Sequence, residues 1–481
     1  MPLPSKRSQL DIDVPALRGV TQDSRAVEAG FLFAALRGEA HDGYAYIPDA
    51  LARGARVILT DKACDLGDDA AKAQCVVSDN PRQDFSYIAA QFYGRQPAHI
   101  AAVTGTNGKS SVVHFADQLW TALDESATYI GTLNNALTTP DPVSLFKTLA
   151  QMAGDGVSHV AIEASSHGLA QYRLDGAQIT VAAFTNFSQD HLDYHTDMDN
   201  YFAAKARLFE ELLPISGTAV LNADVPEYHE ISVVCKKRGI RILSYGKQAD
   251  DIVLRACTVS GVHQAVSLEI DGRSFDVKIP LVGEFQVMNI LCALGCVIAE
   301  APNDERRINK AVNALASIGG VPGRLQHVSD AQGLYHGYVD YAHTPDALKT
   351  VLNSLRPHTK GRLICVFGCG GDRDPSKRAM MGEIAAHLSD VVLITDDNPR
   401  SENPAIIREQ IVGGIEDTAE GIEVVDDRRK AILRGVQSMG KDDILLVAGK
   451  GHEQGQIIGD KILPFDDALE LSNAFATKSN H

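Results

Sequence analysis

The residues whose spacing carries most chemistry are G-T-N-G-K-S-S at positions 105–111. An apolar run of strand length, 100–103, precedes them, and Val112, Phe115, Ala116, Leu119, Trp120 and Leu123 follow at helical spacing. Strand, glycine loop and helix together make a phosphate cradle. Gly105 and Gly108 let backbone N–H groups close around an anion at a helix N-terminus, where the dipole also favours it. In that cradle Lys109 reaches terminal phosphates and the Ser110 hydroxyl takes a Mg2+. The spacing is shorter than the common G-x-x-x-x-G-K-[ST] pattern. An ordinary glycine turn with an exposed lysine is the alternative, and the agreement of all three elements argues against it.

Further along, an apolar run at 157–163 ends in Glu163. A carboxylate at a strand end downstream of a phosphate loop is where a Mg2+ ligand belongs, although an exposed strand-end glutamate looks the same. The run 179–185 opens into a loop whose D-H-L-D-Y-H at 190–195 packs two Asp and two His into six residues, either a metal or phosphate site or a polar surface loop. In a helix predicted over 200–213, Tyr201, Lys205, Leu208, Phe209 and Leu212 share one face. Lys205 therefore sits on the stripe to be buried, where an ammonium must be paired, neutral or modified. A lysine of lowered pKa reacts with carbon dioxide to give a carbamate, a hard-metal ligand; the alternative is a stem that snorkels to water.

These residues need elements to hold them, and 481 residues suffice for two to four domains. Apolar content of 44% and charged content of 22% are those of a globular protein. A formal net charge of -17 with no basic stripe argues against a nucleic-acid partner, so an anionic substrate must meet local positive charge. No apolar run approaches bilayer length, which predicts a cytoplasmic protein. Cys64, Cys75, Cys235, Cys257, Cys292, Cys296, Cys365 and Cys369 are scattered without a C-x-x-C pair, and all eight are expected as reduced thiols.

The first ninety or so residues alternate apolar runs with turns, as a small α/β domain does, and breaks fall near 94–97 and 321–324. Beyond the second break, apolar runs at 363–367, 391–395 and 444–447 each open into a polar or glycine-containing loop. That pattern predicts a parallel sheet whose loops share one edge. The glycine loops at 368 and 449 lack the full G-x-G-x-x-G spacing of a dinucleotide site.

Taken with D-S-R at 23–25, T-T-P at 138–140, E-A-S-S-H-G-L at 163–169, D-Y-A-H-T-P at 340–345 and D-N-P-R at 397–400, these motifs resemble the Mur ligase family, in order over nearly the whole chain. The resemblance implies an α/β protein of three domains. They are a small N-terminal UDP-binding domain (1–95), a central P-loop ATPase-like parallel-sheet domain (96–322) and a C-terminal Rossmann-like domain (323–481) that binds the amino acid. It implies ATP-dependent ligation of meso-diaminopimelate to the D-Glu of UDP-MurNAc-L-Ala-D-Glu through an acyl phosphate, in peptidoglycan precursor synthesis, with Mg2+ as cofactor and a monomer as the working form.

Residue by residue, the resemblance places ATP on Gly105, Thr106, Asn107, Gly108, Lys109, Ser110 and Ser111, with Asn289 and His343 on the nucleotide side. Ser110, Glu163, His191 and a carbamylated Lys205 hold metal. Ser24 and His41 meet the UDP end; Thr138, Thr139, Ser165, Gln171 and Arg173 meet the muramoyl dipeptide. Arg373, Asp397, Asn398, Pro399, Arg400, Gly449 and Glu453 meet diaminopimelate, whose distal carboxylate suits a guanidinium fork. Leu137 stands where many relatives have Asn. The competing readings are the same ligase using L-lysine, a P-loop NTPase switch, and a nucleotide-binding scaffold without chemistry.

Overall fold

The computed structural model describes residues 10–38, 42–67, 72–190, 192–416 and 419–478. Four strands open the chain, β1 (Gly19–Thr21), β2 (Phe31–Ala34), β3 (Val57–Thr60) and β4 (Gln74–Val77), paired in parallel in that order. Cys64 and Cys75 correct the expectation of eight thiols, because they are joined as a disulfide. Their spacing of 11 residues carries no motif; what brings them together is that Cys75 lies in β4, the parallel neighbour of the strand that Cys64 follows. The other six cysteines are thiols outside any disulfide, five of them buried.

Helix Pro81–Tyr93 begins where Asn80 accepts a hydrogen bond from the Gln83 N–H and Pro81 fixes the first turn. The same device, an Asp, Asn or Thr cap followed by proline, starts helices Pro142–Gly154, Pro345–Leu355 and Pro404–Val412.

The central sheet has β5 (His99–Thr104), β6 (Ala127–Ile130), β7 (His159–Glu163), β8 (Val181–Phe184), β9 (Thr218–Asn222) and β10 (Arg241–Gly246), all parallel, in the order β10-β9-β8-β5-β7-β6. Every residue of β7, β8 and β9 is buried, as near-continuous apolar strands covered on both faces must be. The order reverses at β5, which sets the loops after β5, β7 and β8 side by side at the carboxyl ends. One apolar core runs from Val20, Leu32 and Val57 of the first sheet to Ile100, Ile162 and Phe184 of the second.

Helix Met198–Arg207 is shorter than predicted, and a wider turn, Leu208–Leu212, follows it, closed by the Leu213 N–H on Leu208 O at 2.9 Å. The extra residue in that turn advances the register by one, so Leu213 rather than Leu212 joins the buried stripe.

Strands β11 (Ile252–Ser260), β12 (His263–Ile270) and β13 (Arg273–Ile279) precede the helix Glu284–Ile298. A sheet follows of β14 (Gln326–Ser329), β15 (His336–Asp340), β16 (Leu363–Phe367), β17 (Val391–Ile394), β18 (Ile422–Val424) and β19 (Ile444–Ala448), in the order β14-β15-β19-β16-β17-β18, with only β14 antiparallel. The chain packs as two compact units, the first holding Met1–Leu254, Glu269–Arg273 and Asn289–Ala314, the second the remainder.

In the second unit Arg428 and Asp467 form a fully buried ion pair at 2.7 Å, and Arg428 also donates to Ala448 O. Asp467→Ala would strand that guanidinium, so a loss of roughly 3–5 kcal/mol is expected in denaturant unfolding of this unit. A loss below about 1 kcal/mol would refute the assignment.

Candidate active site

Helix Lys109–Ala122 starts directly at the loop, with Gly108 at φ +88° as its cap. A side chain there would meet the Asn289 amide, and one at Gly105 would meet Thr185. Both glycines are thus required by close approach as well as by φ. The loop after β8 splints the cradle: Asn186 O accepts from the Thr106 N–H at 2.8 Å, and Asn186 Oδ1 accepts from the Asn107 N–H at 2.9 Å.

Two lysines converge on one loop carbonyl. Lys109 Nζ donates to Gly105 O at 2.9 Å and to Thr106 O at 2.7 Å; Lys205 Nζ donates to Gly105 O at 2.8 Å. Lys205 is 1% exposed and lies 4.3 Å over the Tyr201 ring, whose hydroxyl is 3.2 Å from Thr106 Oγ1. Burial, with the Lys109 charge adding to it and Asp190 opposing, pushes the Lys205 ammonium down to about 6. The stem does not snorkel.

Ser110 Oγ donates to Glu163 Oε2 at 3.0 Å, and the Thr132 N–H binds Glu163 Oε1 at 2.8 Å. Both side chains are buried, so Glu163 is a fixed carboxylate rather than an exposed strand end. These are hard oxygen donors beside a phosphate cradle, and they fit Mg2+. Thr138 Oγ1 lies 2.9 Å from Thr132 Oγ1, while Thr139 Oγ1 donates to Glu163 O at 2.7 Å and lies 2.9 Å from Ser165 Oγ. Arg173 donates to Thr139 O and to Gln171 Oε1, both at 2.6 Å, supplying positive charge against this cluster. His191 and His41 lie outside the described residues. Ser24 is buried at the start of a short turn capped by Asp23. Leu137 is 49% exposed.

In the second unit the loops after β16, β17 and β19 gather at one end of the sheet. Lys450, fully buried, donates to Asn398 Oδ1 and to Glu453 Oε2, each at 2.9 Å, and the Asn398 amide donates to Glu453 Oε2 at 2.8 Å. Burial works to raise the Glu453 carboxyl, but the Lys450 ammonium holds it below the usual range. Burial raises Asp397 above its usual range against Arg428 and Lys450. Gly449, at φ +115°, leaves no room for a side chain beside Asp397.

Arg400 adopts φ +51° and is pinned by its N–H on Ile457 O at 3.0 Å and by the Gly459 N–H on its carbonyl at 2.7 Å. One guanidinium nitrogen donates to Gly371 O at 2.7 Å. Arg373 is exposed. His343 belongs to this unit, its Nδ1 2.8 Å from Tyr341 O, whereas Asn289 belongs to the first.

Residues 16–93 match the model of the Mur ligase family catalytic domain, 103–297 that of the Mur ligase middle domain, and 323–451 that of the Mur ligase glutamate ligase domain. A relative from Brucella melitensis biotype 1, named UDP-N-acetylmuramoyl-L-alanyl-D-glutamate–2,6-diaminopimelate ligase, is 45% identical over 96% of this chain and 94% of its own length. The chain belongs to the Mur ligase family.

A Caulobacter vibrioides relative of the same name is 44% identical over 96% of each chain. A solved structure titled as that ligase superposes with a TM-score of 0.72 at 33% identity, covering 96% of this chain and 95% of its own. MurF ligase from Thermotoga maritima in complex with ADP, 21% identical with a TM-score of 0.63 over 91% of this chain and 95% of its own, shares the fold. As a Mur ligase the chain is an ATP-dependent, amide-forming enzyme of three-domain α/β architecture. Among the described residues no helix is long and apolar enough to cross a membrane.

Within this Mur ligase the sequence reading overlooked three groups. Lys450 was passed over in favour of its neighbours Gly449 and Glu453, although a lysine between two glycines after a buried strand was signal enough. Thr185 and Asn186, which splint the phosphate loop, have no motif of their own and are found only through the sheet order.

Proposed function

We propose that the protein joins meso-diaminopimelate to the D-Glu side-chain carboxylate of UDP-MurNAc-L-Ala-D-Glu, using ATP, in the cytoplasm. The observation that carries the chemistry is the convergence of Lys109 and Lys205 on Gly105 O, beside the buried Ser110–Glu163 pair. In this reading the loop N–H groups and Lys109 bind the β- and γ-phosphates and draw charge from the transferring phosphoryl group. The substrate carboxylate oxygen attacks phosphorus as the bond to ADP breaks. The diamino acid's amine then adds to the acyl carbon, loses a proton and expels phosphate, leaving the amide.

Ser110, Glu163, His191 and Lys205 as its carbamate would hold Mg2+, which supplies charge neutralisation at the phosphates when bound. Thr138, Thr139, Ser165, Gln171 and Arg173 take the muramoyl dipeptide, and Ser24 and His41 the UDP end. In the second unit Arg400, Asn398 and Glu453 take the amino acid, with Lys450 holding the last two in place.

The test is phosphate release from ATP with UDP-MurNAc-L-Ala-D-Glu and either meso-diaminopimelate or L-lysine. Release that needs the muramoyl dipeptide and diaminopimelate is expected. Equal or greater release with L-lysine would overturn the amino-acid assignment, and ATP turnover indifferent to the dipeptide would overturn the ligase reading of the substrate.

A further inference from the structure

At the amino edge of the central sheet, away from the phosphate loop, His99 opens β5 and His159 opens the adjacent β7. The two are register partners, so their rings stack with centroids 4.5 Å apart and nearly parallel. Glu300 reaches both from beyond the apolar run 290–298: its Oε2 is 3.1 Å from His159 Nε2 and 3.7 Å from His99 Nδ1. Glu125 Oε2 lies 3.5 Å from the same His159 nitrogen. Among the described residues this is the single group of three or more His, Cys, Asp or Glu side chains whose ligand atoms all fall within 4.8 Å of one another.

We infer that His99, His159 and Glu300 form a three-ligand binding site, with a fourth position left to solvent, for a divalent transition ion of the zinc type. A tetrahedral ion with N and O bonds of roughly 2.0–2.1 Å spaces its ligand atoms about 3.3 Å apart. The 3.1 and 3.7 Å separations of Glu300 Oε2 from the two imidazole nitrogens bracket that value, and all three ligand atoms lie within 4.8 Å of one another. Two imidazoles and a carboxylate select zinc, cobalt or nickel over Mg2+, which prefers all-oxygen ligands.

Arg307 binds both oxygens of Glu125 and donates to Glu300 Oε2 at 3.1 Å, fixing the carboxylate in place. Glu300 Oε1, meanwhile, is buried and accepts no hydrogen bond among the described residues. The carboxylate therefore keeps a desolvated oxygen with hydrogen-bonding capacity unused. His159 and Glu300 are only 6% and 13% exposed, while His99, at 38%, gives the entry path. Six residues of β5 separate the cluster from Gly105, about 20 Å at strand rise, so this site is distinct from the catalytic one.

The chain carries its own reporter. Trp120 is its one tryptophan, and that ring lies 5.2 Å from the His159 ring. In saturating Mg2+, titration with Co2+ is expected to quench Trp120 fluorescence saturably, and Zn2+ should reverse the quench by competition. Glu300→Gln and the half-exposed His99→Ala should each weaken binding by at least the roughly 10- to 100-fold that loss of a mere supporting partner costs. His99→Ala keeps the test valid should Glu300→Gln fold poorly. Absence of saturable quenching, or quenching that both substitutions leave unchanged, would overturn the site.

Discussion

Lys205→Ala is expected to lose ligase activity by at least 10²-fold, the scale of removing a fixed electrostatic stabiliser, and to regain part of it when a small carboxylic acid is supplied. The expectation starts from burial: the amine has Gly105 O at 2.8 Å and the Tyr201 ring beneath it, with the Lys109 side chain on the same carbonyl. A pKa near 6 leaves the amine neutral at pH 7, and only the neutral amine adds to carbon dioxide, releasing a proton as the carbamate forms. Activity should therefore fall as pH drops through about 6. Stability gives an independent sign. In carbon dioxide-free buffer the unfolded lysine binds a proton up to its ordinary value of about 10.4 while the folded one does not, so the stability penalty is full below about 6 and fades as pH rises through that window. Full activity of Lys205→Ala, or loss with no rescue by any small carboxylate, would sink the carbamate.

The buried lysine also shows what kind of information a sequence holds. Helical spacing placed Lys205 on the apolar stripe without any structure, because periodicity is local and burial follows from it. The same spacing misjudged where the stripe ends, since the wide turn at Leu208–Leu212 is a tertiary choice that brings Leu213 inward. Glycine positions were legible for a similar local reason: φ +88° at Gly108 belongs to the loop itself.

Contacts made across the sheet were not legible. Asn186 splints Asn107 from 79 residues away, and Cys64 meets Cys75 only because two strands are neighbours. Breaks near 94–97 and 321–324 were legible in loop composition, yet the first two sheets share one core, which no boundary signal could reveal.

Arg400→Ala is expected to lower kcat/KM for meso-diaminopimelate by roughly 10²- to 10³-fold, about 3–4 kcal/mol, while leaving the value for L-lysine unchanged or raised. Meso-diaminopimelate differs from lysine by a distal carboxylate, and a guanidinium can grip that group with two parallel hydrogen bonds. Arg400 is prepared for the task by its backbone. A left-handed φ of +51° is costly for an arginine, and it is held by hydrogen bonds on either side, to Ile457 O and from Gly459. Its contact with Gly371 O at 2.7 Å fixes the plane of the guanidinium, which would leave its other donors for the ligand. Lysine bound here would leave that charge without its carboxylate, so discrimination arises from the penalty on the wrong substrate as much as from affinity for the right one. Arg400→Lys should not restore the preference, because an ammonium lacks the planar fork. Competition between the two amino acids in one reaction measures the ratio directly. If it is unmoved in Arg400→Ala, the selectivity lies elsewhere, with Asn398 and Glu453 the next residues to replace.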